Sequence, residues 1–185
     1  MRPNAHELVT LKRDCEAIEI PSGHKVSLFG GTEVIITQCL GGSYTVTTHQ
    51  GLMASIGGKD ADALGKEIPP ESRVPDQISS EGEVEKLVWN QLRTCYDPEI
   101  PHNIVDLGLI YECRITPLDE KENSKKVDIR MTLTAPGCGM GEWLKQDVRN
   151  KILSVPTVKE VNVDVVFDPP WDRSKMSPAL KRELY

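Results

Sequence analysis

A strand, a glycine-rich break, a helix and a second strand follow one another between Val127 and Phe167, and this order limits the possible folds more than any other feature. Val127, Ile129, Met131 and Leu133 alternate with other residues, as one face of a strand does. Trp143, Leu144, Val148 and Ile152 then recur at helical spacing, which predicts a helix over 141–153. Val161, Val163, Val165 and Phe167 alternate again. Two strands joined by one helix lie parallel in a common sheet. The crossover is right-handed, because a right-twisted strand feeding a right-handed helix packs back only that way.

The residues upstream extend the pattern. Ser80 and Glu83 form a capping box, and Val84, Leu87, Val88, Leu92 and Cys95 mark the stripe of a helix that stops before Asp97-Pro98. Leu109 to Ile115 reads as a strand, antiparallel to Lys126–Thr134 across a charged loop from Asp119 to Lys126. Ser177-Pro178 looks like the N-cap and first residue of a short C-terminal helix. The predicted class is α+β: a C-terminal α-β-β-α-β domain with a small mixed sheet, its helices on one face.

Residues 1–68 read differently. Runs such as Lys25–Phe29, Glu33–Gln38 and Ser43–Thr48 are separated by Gly30-Gly31 and Gly41-Gly42, which predicts a β-rich N-terminal domain, a small meander or barrel. Asp60 to Leu64 reads as one helical turn. Pro69-Pro70 and Pro75-Asp76 bracket a polar stretch, so 69–79 is taken as a linker and 80–185 as the second domain. A chain starting near Gln77 is expected to fold alone.

The net charge of −6 argues against non-specific nucleic-acid binding and against an anionic membrane surface as partners. No apolar stretch approaches the ~20 residues that span a bilayer, and Met1–Glu7 has no apolar signal core. Cys15, Cys39, Cys95, Cys113 and Cys138 are odd in number, widely spaced and without a C-x-x-C, which fits neither a disulfide framework nor a zinc knuckle. A cytoplasmic location with reduced thiols is expected.

Chemistry concentrates in three non-periodic segments: Asp97–Asn103, Thr134–Gly141 and Asp168–Trp171. Cys138 stands in a Pro/Gly loop just before a helix. Unpaired N–H groups and the positive dipole end there favour thiolate, the form that binds soft metals or attacks electrophiles. A free cysteine is also often a small buried hydrophobe. Asp97 before Pro98 suits a turn, Asp106 suits a turn cap, and Thr134 suits a bond to the loop backbone. Glu99 has no capping duty. His102 offers an imidazole for iron or zinc, though a lone loop histidine is more often a surface residue. Trp171 reads as a packing lid or, if exposed, as an anchor for a client protein.

Read together, "DPEIPHNIVDLGLIY", "LTAPGCGMG" and "FDPPW" resemble, in order and spacing, the signature of SufT-like iron–sulfur cluster assembly proteins. That family includes the PaaD component of phenylacetate degradation and the eukaryotic cytosolic iron–sulfur targeting factors. The resemblance covers residues 80–174. It reaches 1–76 only in that SufT proteins also carry an extension. It implies a maturation factor in the SUF system, not an enzyme, that passes an iron–sulfur cluster or iron to client apoproteins. Its partners would be assembly scaffolds and those clients. Carried over by position, Cys138 is the reactive cysteine, and Asp97, Glu99, Asp106 and Thr134 are the accompanying site residues. Cys138 and His102 are the expected metal ligands. Many members have proline after the cysteine; Gly139 stands here, so a more flexible loop is expected.

Clusters are usually held by four thiolates, so one motif cysteine leaves ligation to a second chain in a homodimer or to outside thiols. Two other readings compete. A metal-free adaptor would recruit clients through surfaces such as Trp171. A cysteine-nucleophile enzyme would need a histidine base, for which only His102 is plausibly near.

Overall fold

The computed structural model describes residues 6–73, 75, 80–97, 99–119, 123–135, 137 and 139–184. Cys138, Pro136, the 120–122 part of the charged loop and most of 74–79 lie outside them.

The N-terminal half is an antiparallel sheet of β1 (Glu7–Thr10), β2 (Cys15–Glu19), β3 (Lys25–Leu28), β4 (Glu33–Leu40), β5 (Ser43–Thr48) and β6 (Met53–Ile56). Their order is β1-β4-β5-β6-β2-β3. Only β4, β5 and β6 form a meander. Strands β3 and β4, which flank Gly30-Gly31, are not neighbours, so the expected meander or barrel holds as a meander only over β4–β6. Leu40 pairs with Ser43, so Gly41-Gly42 is a two-residue hairpin loop. Both glycines have positive φ, 55° and 76°, the backbone such a tight connection demands. A 3-10 segment, Gly58–Leu64, closes the unit, longer than the single turn expected. Val34, Ile36, Val46, Ala54, Ile56 and Leu64 form its core.

The C-terminal half contains α1 (Glu81–Arg93), β7 (Ile110–Asp119), β8 (Ser124–Met131), α2 (Gly141–Leu153), β9 (Val158–Val165) and α3 (Pro178–Leu184). The Ser80/Glu83 capping box is present. Strand order is β7-β8-β9, with β7–β8 antiparallel and β8–β9 parallel, as the periodicities predict. Val127, Ile129 and Met131 of β8 meet Val88 and Leu92 of α1 and Leu144, Val148 and Ile152 of α2 in one core. The fold is therefore α+β, a small mixed sheet with helices plus a β-rich unit.

The two halves touch along α2. Ile18 of β2 joins the C-terminal core, and Ile20 packs against it. The Gly41 hairpin loop lies against the residues that follow α1: a Cβ at Gly41 would sit 2.0 Å from the Thr94 carbonyl oxygen and 2.8 Å from the Tyr96 ring. Gly41→Ala is expected to cost about 3 kcal/mol, the sum of left-handed strain and overpacking. Gly51, at φ 82° with nothing within 4 Å, is the control. Gly51→Ala should cost only about 1 kcal/mol. Urea unfolding of both variants tests whether contact with the C-terminal half, rather than backbone strain, carries the difference.

Candidate functional site

All three non-periodic segments leave the same edge of the three-stranded sheet. Ile110 at the start of β7 faces Met131 at the end of β8, and Met131 faces Val165 at the end of β9. The loop before β7 holds the first motif, the loop after β8 the cysteine motif, and the loop after β9 the third. Sites in sheets with parallel crossovers collect beyond the carboxyl ends of the strands for this reason.

Asp97 joins the first two segments. It is 2 % exposed. Its Oδ1 accepts the backbone N–H groups of Glu99 and Ile100, both at 2.9 Å, and its Oδ2 accepts the Thr134 hydroxyl at 3.3 Å. The carboxylate thus builds its own turn and ties it to the head of the cysteine loop. The Asp97 N–H donates to the His102 carbonyl at 3.0 Å and closes the loop. Glu99 is exposed and His102 half-buried.

Asp97→Ala is expected to cost about 1–3 kcal/mol, because two backbone donors lose their acceptor. Asp97→Asn keeps an oxygen for them and should cost less than about 1 kcal/mol. Urea midpoints measure the contrast. Equal losses would mean that the charge, not the acceptor, holds the loop.

Asp106 has a different setting. Its Oδ2 accepts the Asn103 side-chain amide at 2.6 Å, its N–H donates to Asn103 Oδ1 at 2.8 Å, and its carbonyl accepts the Ser177 N–H at 2.7 Å. These bonds brace the turn and the approach to α3. They do not bring Asp106 to Thr134. Next to it, Gly108 at φ 71° lies so close to Lys175 that a Cβ would stand 2.0 Å from its carbonyl oxygen.

The third segment is pinned to the first. Trp171 Nε1 donates to the Leu107 carbonyl at 2.8 Å, and the Tyr111 hydroxyl donates to the Pro169 carbonyl at 2.8 Å. Trp171 is half-buried with its one donor satisfied. That is the packing-lid arrangement, and it leaves Phe167 and Pro170 exposed beside it.

Around Cys138 the described backbone is open. Gly137 and Gly139 are exposed, and a Cβ at either would meet nothing within 4 Å. Helix α2 starts two residues beyond Gly139. Its N-cap, Met140, makes no side-chain capping bond. The other four cysteines lie within the described residues. Cys15 and Cys95 are buried, and Cys39 and Cys113 are half-buried. Burial raises the thiol pKa values of Cys15 and Cys95, and burial with the Glu85 charge pushes Cys113 up to about 11. Among the described residues no group of three or more histidine, cysteine or acidic side chains is placed to hold a metal ion.

Residues 85–165 match the family described as iron–sulfur cluster assembly protein. A Porphyromonas gingivalis protein named Fe-S protein maturation auxiliary factor is 41% identical over 102 residues, 55% of this chain and 91% of that one. The chain belongs to the iron–sulfur cluster assembly family. A Staphylococcus aureus member, Fe-S protein maturation auxiliary factor SufT, is 36% identical over 88 residues, 48% of this chain and 93% of that one. A Synechocystis protein named iron–sulfur cluster carrier protein is 28% identical over 87 residues, 47% of this chain but 23% of that one. The family match lies wholly in the C-terminal half and takes in the first two motif segments, 97–103 and 134–141. No helix among the described residues is long and apolar enough to cross a membrane.

Sequence reasoning did not reach the groups behind this site. Asp147 and Lys151 form an ion pair at 3.0 Å inside the molecule, and Lys151 also donates to the Thr94 carbonyl at 2.7 Å. Their i,i+4 spacing was the available signal. On a helix of mixed polarity it reads as a solvated pair, because the sheet that covers it is remote in sequence.

Proposed function

We propose that this protein matures iron–sulfur proteins by holding iron or a cluster briefly at Cys138 and passing it to client apoproteins. The observation that carries the reading is the open backbone on both sides of Cys138, between exposed Gly137 and Gly139, in a chain whose other cysteines are buried or half-buried. A cargo as large as a cluster, still attached to its donor or recipient, needs such an approach. The start of α2 supports thiolate at that point through its dipole and its amide groups.

The cluster is cargo on this reading, not a resident cofactor. One thiolate satisfies one of the usual four cluster sites. The remaining ligands come from a second copy, a scaffold or the client. Weak, incomplete ligation suits hand-over. Asp97 and Thr134 act as positioning residues that fix the cysteine loop against the first motif. Glu99, exposed on the same turn, and His102 are the groups of that loop nearest in sequence able to add an oxygen or nitrogen ligand during transfer. The protein performs no bond chemistry of its own on this reading and is not an enzyme. Its partners are assembly scaffolds and client apoproteins.

Anaerobic reconstitution with iron and sulfide tests the proposal. The wild type is expected to develop the broad visible absorbance of a cluster, partly as a dimer, and Cys138→Ala to develop none. Equal absorbance in both proteins would remove Cys138 from the account.

A further inference from the structure

Strand β7 is a free edge of the three-stranded sheet. The bonds of its neighbour β8 show which of its backbone groups point outward. The Lys125 N–H donates to the Thr157 carbonyl, and the Met131 carbonyl accepts the Val166 N–H, both at 2.8 Å, so the odd residues of β8 turn toward β9. The Thr132 N–H donates to the Leu109 carbonyl at 2.9 Å, so the even residues turn toward β7. Arg130, Asp128 and Lys126 thus bond Glu112, Arg114 and Thr116, which stand opposite them. Bonded and non-bonded pairs alternate along an antiparallel ladder. Cys113 and Ile115 therefore aim their N–H and C=O groups away from the sheet, and among the described residues no backbone group outside β8 meets them. A groove of about 390 Å³ between β7 and the start of α1, lined by Val84, Glu85, Cys113, Ile115 and Pro117, keeps this row open.

Such a row is a template for another strand, and proteins usually blunt it. The other edges are blunted. Strands β1 and β3 have four residues each. Strand β9 carries Glu160, Asn162 and Asp164 on the face away from the helices, with no cation among them. Strand β7 has ten residues, and on that face it carries Glu112 and Arg114, both exposed and joined by an ion pair along the strand.

We propose that a second copy of this chain pairs with β7, antiparallel about a two-fold axis at Cys113. Cys113 then bonds its counterpart through the outward backbone groups. Glu112 of each copy stands opposite Arg114 of the other, at non-bonded positions where side chains come closest. The charges choose the register. An axis at Glu112 or at Arg114 would set like charges face to face. An axis at Ile115 would place Pro117 in a bonded pair that needs the N–H it lacks. The paired stretch runs from Tyr111 to Ile115, between the bulge at the start of β7 and Pro117. The two-fold axis sets the start of β7, and the site edge with it, at opposite ends of the joined sheet. This pairing therefore does not supply the second thiolate of a shared cluster, and it does not require that Cys138 carry one.

Sedimentation equilibrium of the full chain, without iron, with reduced thiols and at low salt, makes the test. The wild type is expected to dimerise with a Kd on the order of 100 μM, as suits a small interface. Glu112→Arg and Arg114→Glu should each weaken this at least about tenfold, because the two-fold axis repeats every like-charge contact. Mixed together, the two single variants should associate about as tightly as the wild type, since one presents only cations and the other only anions. The double variant Glu112→Arg with Arg114→Glu should dimerise again. A second reading needs no variant: the wild-type amide signals of Cys113 and Ile115 should shift in NMR with concentration and give the same Kd. The proposal is overturned by a wild type that stays monomeric, by single variants that dimerise as tightly as it does, by a mixture that stays monomeric while both variants are folded, or by concentration-dependent shifts that spare β7.

Discussion

Cys138→Ala is expected to abolish the protein's support of iron–sulfur enzymes while leaving its unfolding free energy within about 0.5 kcal/mol of wild type. The flanking glycines are exposed, so the side chain removed is not expected to leave a packed cavity. Cys95→Ala is the opposite case. Cys95 is fully buried in the C-terminal core, with its thiol 3.5 Å from the Gln91 carbonyl, and its truncation should cost about 1–2 kcal/mol. That variant should still support maturation in proportion to the folded protein present. Aconitase-type activity in cells lacking the wild-type protein, read beside thermal unfolding of the purified variants, separates the two. Full complementation by Cys138→Ala would remove cluster ligation and put the adaptor reading first.

The fold is legible in the sequence where contacts are local and hidden where they are not. The C-terminal elements were legible because their periodicities are strong and local. Alternation in β8 and β9 and helical spacing in α2 stand out, and the capping box at Ser80 marks where α1 begins. Strands β1, β2 and β6 were not legible. Each has only four or five residues, and they lean on small or acidic side chains such as Ala54, Ser55 and Glu16. Pairing with distant strands, not local preference, makes them strands.

The site divides in the same way. Asp97 showed its local half in the sequence, a turn residue before proline, and the structure bears that out through Glu99 and Ile100. Its bond to Thr134 spans 37 positions and has no local signal. The bond from the Ser177 N–H to the Asp106 carbonyl joins distant segments and likewise has no local signal. The N-terminal half posed the harder limit, since short strands say little about which face meets which helix.

That hidden face leads to the second large effect. Lys151→Met is expected to destabilise the protein by about 3–5 kcal/mol, because it leaves Asp147 buried without a counter-charge. Both side chains are well shielded, 13% and 7% exposed, and the Thr94 carbonyl also loses its donor. The double variant Asp147→Leu with Lys151→Met should recover most of the loss, since replacing a whole buried pair by apolar groups is often near neutral. The pH dependence has a definite sign. Burial pulls the Lys151 pKa down, but the Asp147 carboxylate and its neighbours outweigh that and hold it above the ordinary lysine value. A folded-state pKa raised above the unfolded one contributes stability that is complete below the unfolded value of ~10.4 and is lost as pH rises through the folded value. Between pH 6 and 9 Lys151 should therefore add no slope to the stability curve, and the alkaline loss it causes should vanish in the double variant. Urea unfolding of the three proteins at pH 7 and above pH 10 measures both effects. If Lys151→Met costs no more than an exposed substitution, the pair is solvated, and the sheet does not cover α2 as the structure has it.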